Sequence, residues 1–169
     1  MKRVLIFFAL IIFVLLIQTA VLSNWYALPV VPDILLLVVL YIGFHNGSLT
    51  GEVSGFFSGL VLDFLSAAPL GLNALVRTLI GFLSGLFYNN FETSGIIIPA
   101  VLGFTATAAK AILIRFVSFF YPGSILTYSL FSSVLWYECV FSALCAPVVF
   151  WFLSFFKILA KDFPTEKIQ

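Results

Sequence analysis

Charge is what this chain has least of. Of its 169 residues only 9% are Asp, Glu, Lys or Arg, while 63% are hydrophobic and the mean hydropathy is +1.21. A water-soluble domain of this size could not cover itself with so little polar surface, so the chain must face lipid. Histidine occurs once, at His45, and cysteine twice, at Cys139 and Cys145. That scarcity excludes most intramembrane chemistry. A lone histidine in a turn after the second span supplies neither a metal site nor a base inside any span. The cysteines lie six residues apart on one helix, facing different directions, and read as packing residues, with no disulfide and no metal site expected. Gly55-Phe56-Phe57-Ser58-Gly59 and Gly81-Phe82-Leu83-Ser84-Gly85 both miss the G-x-S-x-G nucleophile turn. There is no Walker A or dinucleotide fingerprint and no basic tract for nucleic acid. No catalytic residue and no cofactor is expected.

What the chain does have is long apolar runs, and a helix needs about 20 such residues to cross the hydrocarbon core. The first run, residues 4–22, is free of charge. It follows Met1-Lys2-Arg3 like a signal peptide, but it exceeds the usual ~7–15 apolar residues and no small-x-small cleavage site follows. We read it as an uncleaved first span. Further spans are expected over residues 30–44, 51–65, 72–88, 96–120 and 129–156. The second of the six is short and recruits Val30 and Val31 across Pro32-Asp33; a re-entrant segment is the alternative there. The reading is an all-α integral membrane protein, a single transmembrane domain over residues 1–169 with about six helices and short loops.

Lys2 and Arg3 stand at one end and Lys157, Lys161 and Lys167 at the other, while residues 23–31, 66–71 and 121–128 carry no Lys or Arg. By the positive-inside rule both termini are cytoplasmic. Trp25, Tyr26, Tyr121 and Tyr128 then fall where an outer aromatic belt belongs.

Charged groups inside a bilayer are costly and are normally paired or turned to the bundle interior. Asp63 and Arg77 are equally far from Leu70 in the turn between spans three and four, so they are expected at matching depth and as a pair. Lys110 and Glu138 are symmetric about Ser124 and form the second expected buried pair. Arg115 lies nearer the outer surface and snorkels. These pairs read as ties between helices, since a proton or substrate relay would add further carboxylates or histidines along a path.

Small residues mark the packing surfaces: Gly51, Gly55 and Gly59 recur every four residues, as do Gly81 and Gly85, and Gly103, Thr107 and Ala111. Such spacing lets membrane helices approach closely, here expected within the chain. Glu52 and Asp63 share a face of span three, about 20° apart at ~100° per residue, giving it a polar side turned inward.

The order Pro32-Asp33 before a leucine-rich span, then Gly55 and Gly59, then Asp63-x-x-Ser66-x-x-Pro69-x-Gly71 before another glycine-rich span, resembles the rod shape-determining protein MreD family. The resemblance covers about residues 32–85, and length, span count and basic ends agree over the rest. Each matching residue also has a physical role. Asp33 after a proline can cap a helix N-terminus, and Pro69 and Gly71 suit a tight turn.

The resemblance implies a non-catalytic subunit of the bacterial cell-elongation machinery in the cytoplasmic (inner) membrane. It implies a partner in MreC, and an adaptor role between cytoplasmic MreB and wall-synthesis enzymes, a transpeptidase or glycosyltransferase. The fold it implies is similar to the substrate-binding subunits of energy-coupling-factor transporters. Membership of that transporter class is the alternative function, with Asn73, Asp63 and Arg77 as the start of a substrate site. Against it, the first span lacks the Ala-x-x-x-Ala docking pattern and offers only Ala9 and Ala20.

Overall fold

The structure is a computed structural model and describes residues 12–14, 16, 18, 30–66, 69–88, 95–120 and 132–155. Among these the regular structure is all helical: α1 (Ile34–Asn46), α2 (Ser48–Leu65), α3 (Leu72–Leu86), α4 (Ile97–Phe120) and α5 (Ser133–Phe155). Most of the expected first span, residues 4–22, lies outside the described residues, as do Trp25, Tyr26, Tyr121 and Tyr128. Of its described side chains, two meet α1: Gln18 Oε1 accepts from the Leu35 amide at 3.0 Å, and Val14 packs on Leu35.

Helix α1 is the centre of the bundle. Leu35 to Phe44 are all buried, and α1 touches each of the other four helices. Its sequence is apolar on every side, which is what a helix surrounded by helices requires. The span expected over residues 30–44 is shifted, because Pro32 cannot extend the helix backward and Asp33 caps it, its carboxylate accepting from the Leu36 amide at 3.1 Å. With 13 residues α1 is about 20 Å long, short of the ~30 Å hydrocarbon core. It therefore starts part-way into the bundle.

At its far end the expected turn contracts to Gly47, whose φ of +87° favours a residue without Cβ. His45 consequently sits in the last turn of α1 and not in a solvated loop. Its Nδ1–H donates to the Tyr41 carbonyl at 2.8 Å, and its ring stacks on Tyr41 with centroids 4.0 Å apart.

Helices α2 and α3 pack backbone to backbone. A Cβ added at Gly51 or Gly81 would collide with the other residue's carbonyl, one at Gly55 with the Arg77 carbonyl, and one at Gly59 with Ala74. The small-residue faces are thus used inside the chain, where dispersion between close backbones replaces the hydrophobic drive that lipid removes. Ser54 and Ser58 share that buried face and bond their own helix, to the Gly51 and Gly55 carbonyls. Glu52 departs from the expected inward side and is only partly buried.

Helices α4 and α5, 24 and 23 residues long, are long and apolar enough to cross a membrane. They pair through Gly103, where a Cβ would come within 2.8 Å of Ala146 Cβ. The surface around all this is the reverse of a soluble protein's. Phe56, Phe64, Phe116, Phe119, Trp136, Trp151 and Phe155 are exposed, while Asp33, Asp63, Arg77 and Glu138 are buried. Apolar outside and ionic inside is the arrangement that lipid selects.

Candidate functional site

The buried ionic groups gather on Asp33. Its position at the N-cap of α1 brings the carboxylate to where α1, α3, α4 and α5 meet. Arg77 Nη2 donates to Oδ1 at 2.7 Å and to Oδ2 at 2.9 Å, and Lys110 Nζ donates to Oδ2 at 3.0 Å. Lys110 also reaches Glu138 Oε1 at 2.5 Å, so α4 and α5 are joined as the symmetric spacing about Ser124 implied. Two carboxylates thus face two cations, and the formal charge of the group is zero. Arg77 is 1% exposed, yet its Nε and Nη1 have no hydrogen-bond partner among the described residues.

The pairing of Asp63 with Arg77 is not what forms. Asp63 faces the first turn of α3, where its Oδ2 accepts from the Gly71 amide at 3.0 Å and the Ala74 amide at 3.1 Å. Its Oδ1 accepts from the Asn73 amide at 3.0 Å and from Asn73 Nδ2 at 2.9 Å. Free N–H groups and the positive end of a helix dipole satisfy this carboxylate without a cation. Arg77, on the same helix face as Ala74, Ile80, Gly81 and Ser84, is left to reach Asp33. Equal distance from the turn sets depth, and the direction around the helix axis decides the partner.

The remaining motif residues shape this end of the bundle. Pro32 is buried and its carbonyl accepts from the Ile34 amide at 3.0 Å. Gly55 and Gly59 admit the α3 backbone at Arg77 and Ala74, which sets how deeply Arg77 can sit. Ser66 ends α2 in extended conformation, its amide donating to the Leu62 carbonyl at 2.8 Å. The Pro69 carbonyl accepts from Leu72, and Gly71 adopts φ +93°, the left-handed conformation that glycine tolerates best. Pro32 and Asp33 therefore stand with Arg77, and Asp63 with Gly71, in two adjacent polar knots.

Asp33 as the hub is what sequence reasoning missed, since its capping role was sufficient to explain it. The missed signal was that Arg77 and Lys110 both need an anion at the depth of Glu138, and Glu138 alone cannot serve two cations. Chemically, the hub offers ion pairing and helix capping. Cys139 is buried, Cys145 is half-buried and neither is in a disulfide. Among the described residues no group of three or more His, Cys, Asp and Glu side chains gathers.

A separate cavity of about 380 Å³ lies at the opposite end, lined by Tyr41, His45, Pro99, Pro147, Phe150 and Trp151 among others.

Comparison with known proteins gives one family: the model for rod shape-determining protein MreD matches residues 1–156. No curated protein and no solved structure matches the chain.

Proposed function

The chain belongs to the rod shape-determining protein MreD family, and on that premise we propose that it acts as an adaptor through its lipid-facing surface. Membership makes it a rod shape-determining membrane protein of the cell-elongation machinery, without catalytic activity. The partners we infer are MreC, cytoplasmic MreB, and a wall-synthesis transpeptidase or glycosyltransferase, whose peptidoglycan synthesis it helps to regulate. The placement we infer is the cytoplasmic membrane, with both termini inside. Lys2 and Arg3 at one end and Lys157, Lys161 and Lys167 at the other support it. The fold reading that goes with it is one transmembrane domain of about six helices, similar to the substrate-binding subunits of energy-coupling-factor transporters.

The observation that carries the adaptor reading is how the buried polar groups are employed. Asp33, Lys110 and Glu138 bond within the chain, as do Asp63 and Asn73. Polar groups that hold helices together fix a rigid shape, and the apolar outer faces remain for other transmembrane helices. The transporter alternative would use Asn73, Asp63 and Arg77 to hold a substrate, but Asn73 and Asp63 bond each other and Arg77 turns to Asp33.

The test is affinity purification from the native membrane after mild crosslinking. Recovery of MreC, MreB or a wall-synthesis enzyme is the expected result. Recovery of paired ATPases with a large coupling membrane protein would overturn the adaptor reading in favour of vitamin transport.

A further inference from the structure

Helix α2 carries an acidic group that the ionic hub does not use. Glu52 lies four residues after Ser48, so about 6 Å along the helix from its first residue, which follows the tight turn at Gly47. It is partly exposed and takes no part in the ion pairs among the described residues. Arg77 and Lys110 are committed to Asp33 and Glu138 at the other end of the bundle. Arg115, exposed on α4, lies five residues from the end of its helix at Phe120 and so also near that other end.

The surroundings of Glu52 are apolar and open. Leu49 is 71% exposed, and Val53, Phe56 and Phe64 are exposed with it. At ~100° per residue these four fall within an arc of about 80°, opposite the side that Ser54 and Ser58 bury, and Glu52 lies about 40° beyond Phe56 at its edge, bordering buried Gly59 and Asp63. The arc is long enough to take another helix along its length. By contrast, the exposed large side chains of α3 and α5, such as Leu79 and Phe82 or Leu144 and Val148, accompany no acidic group on the outer face of either helix.

Lipid is a poor cover for this arc. A carboxylate near hydrocarbon is costly, and with the termini in the cytoplasm Glu52 lies towards the inner leaflet, whose anionic headgroups repel it. A transmembrane helix that obeys the positive-inside rule brings Lys or Arg to this depth at its inner flank. We propose that the outer face of α2, formed by Leu49, Val53 and Phe56 and bordered by Glu52, is the docking face for a partner's single transmembrane helix with a basic inner flank. The Glu52 carboxylate pairs with that flank, Val53 and Phe56 pack on the helix above it, and Leu49 packs beside the flank at the inner end. This rests on the adaptor reading and names the face it uses.

The experiment places a photo-reactive residue at Leu49 or Phe56 in the full chain in its native membrane, with Leu144 on α5 as the control position. Expected are adducts from Leu49 and Phe56, and not from Leu144, to an identified elongation protein, mapped to a spanning segment with Lys or Arg at its inner flank. Glu52→Lys should cut the adduct about tenfold without changing the amount of protein in the membrane, and reversing the partner's basic residue should restore it. If only lipid is captured at Leu49 and Phe56 while MreC or MreB still co-purifies, this face is wrong and the adaptor reading stands. Adducts at Leu144 alone, or a Glu52→Lys chain that crosslinks like the parent, also overturn the proposal. If no elongation protein co-purifies at all, the adaptor reading falls with it.

Discussion

Asp33→Asn should damage the bundle more than Arg77→Met, although arginine is the larger buried group. Asparagine keeps the size of the side chain and an oxygen for the Leu36 amide, so the helix cap survives. What it removes is the negative charge that Arg77 and Lys110 share at 2.7 and 3.0 Å. Lys110 keeps Glu138, but Arg77, already without partners at Nε and Nη1, becomes an uncompensated buried cation. Breaking one side of a buried pair in this way costs about 3–5 kcal/mol, a large share of the ~5–15 kcal/mol that holds a folded domain together.

Arg77→Met works in the opposite sense. It deletes the unpartnered N–H groups together with the cation, while Asp33 keeps Lys110 and its cap. We expect a loss of about 1–2 kcal/mol from imperfect packing of the methionine. The double variant should fall well short of the sum, since with Arg77 also replaced the Asp33→Asn change no longer orphans a guanidinium. The assay is the apparent melting temperature of detergent-purified protein, with membrane accumulation in parallel. A larger loss for Arg77→Met than for Asp33→Asn, or additive losses in the double variant, would refute Asp33 as the hub.

Asp63→Ala leaves three backbone N–H groups at the start of α3 without their acceptor and should cost about 2–4 kcal/mol, whereas Asp63→Asn should retain part of it; the same melting assay ranks them. Gly81→Leu drives a side chain into the Gly51 carbonyl and should abolish accumulation in the membrane, read by immunoblot, while Gly95→Leu, where an added Cβ meets nothing, should accumulate normally. Ser142→Ala removes a fully buried hydroxyl that has no partner among the described residues, so it should leave the melting temperature unchanged or raise it by the equivalent of about 1 kcal/mol.

The helical membrane class and the helices α3 and α4 were legible because apolar run length and turn residues report them directly. Lys110 and Glu138 were legible as a pair for a related reason: they lie in helices that pack against each other along Gly103 and Ala146. Depth alone was then enough. Asp63 and Arg77 show where that reasoning stops. Both lie near the start of α3, where free backbone N–H groups compete for the carboxylate and win by proximity. Asp33 was hidden for the converse reason: it lies 44 residues from Arg77 and 77 from Lys110, and no local rule couples positions so far apart. Its partners follow only once α1 is known to be the central helix. The sequence hint for that was present in the all-round hydrophobicity of Leu35 to Phe44. A helix apolar on every side, with one acid at its start, must be entered by cations from its neighbours, and buried Arg77 and half-buried Lys110 are the cations the described helices turn towards it.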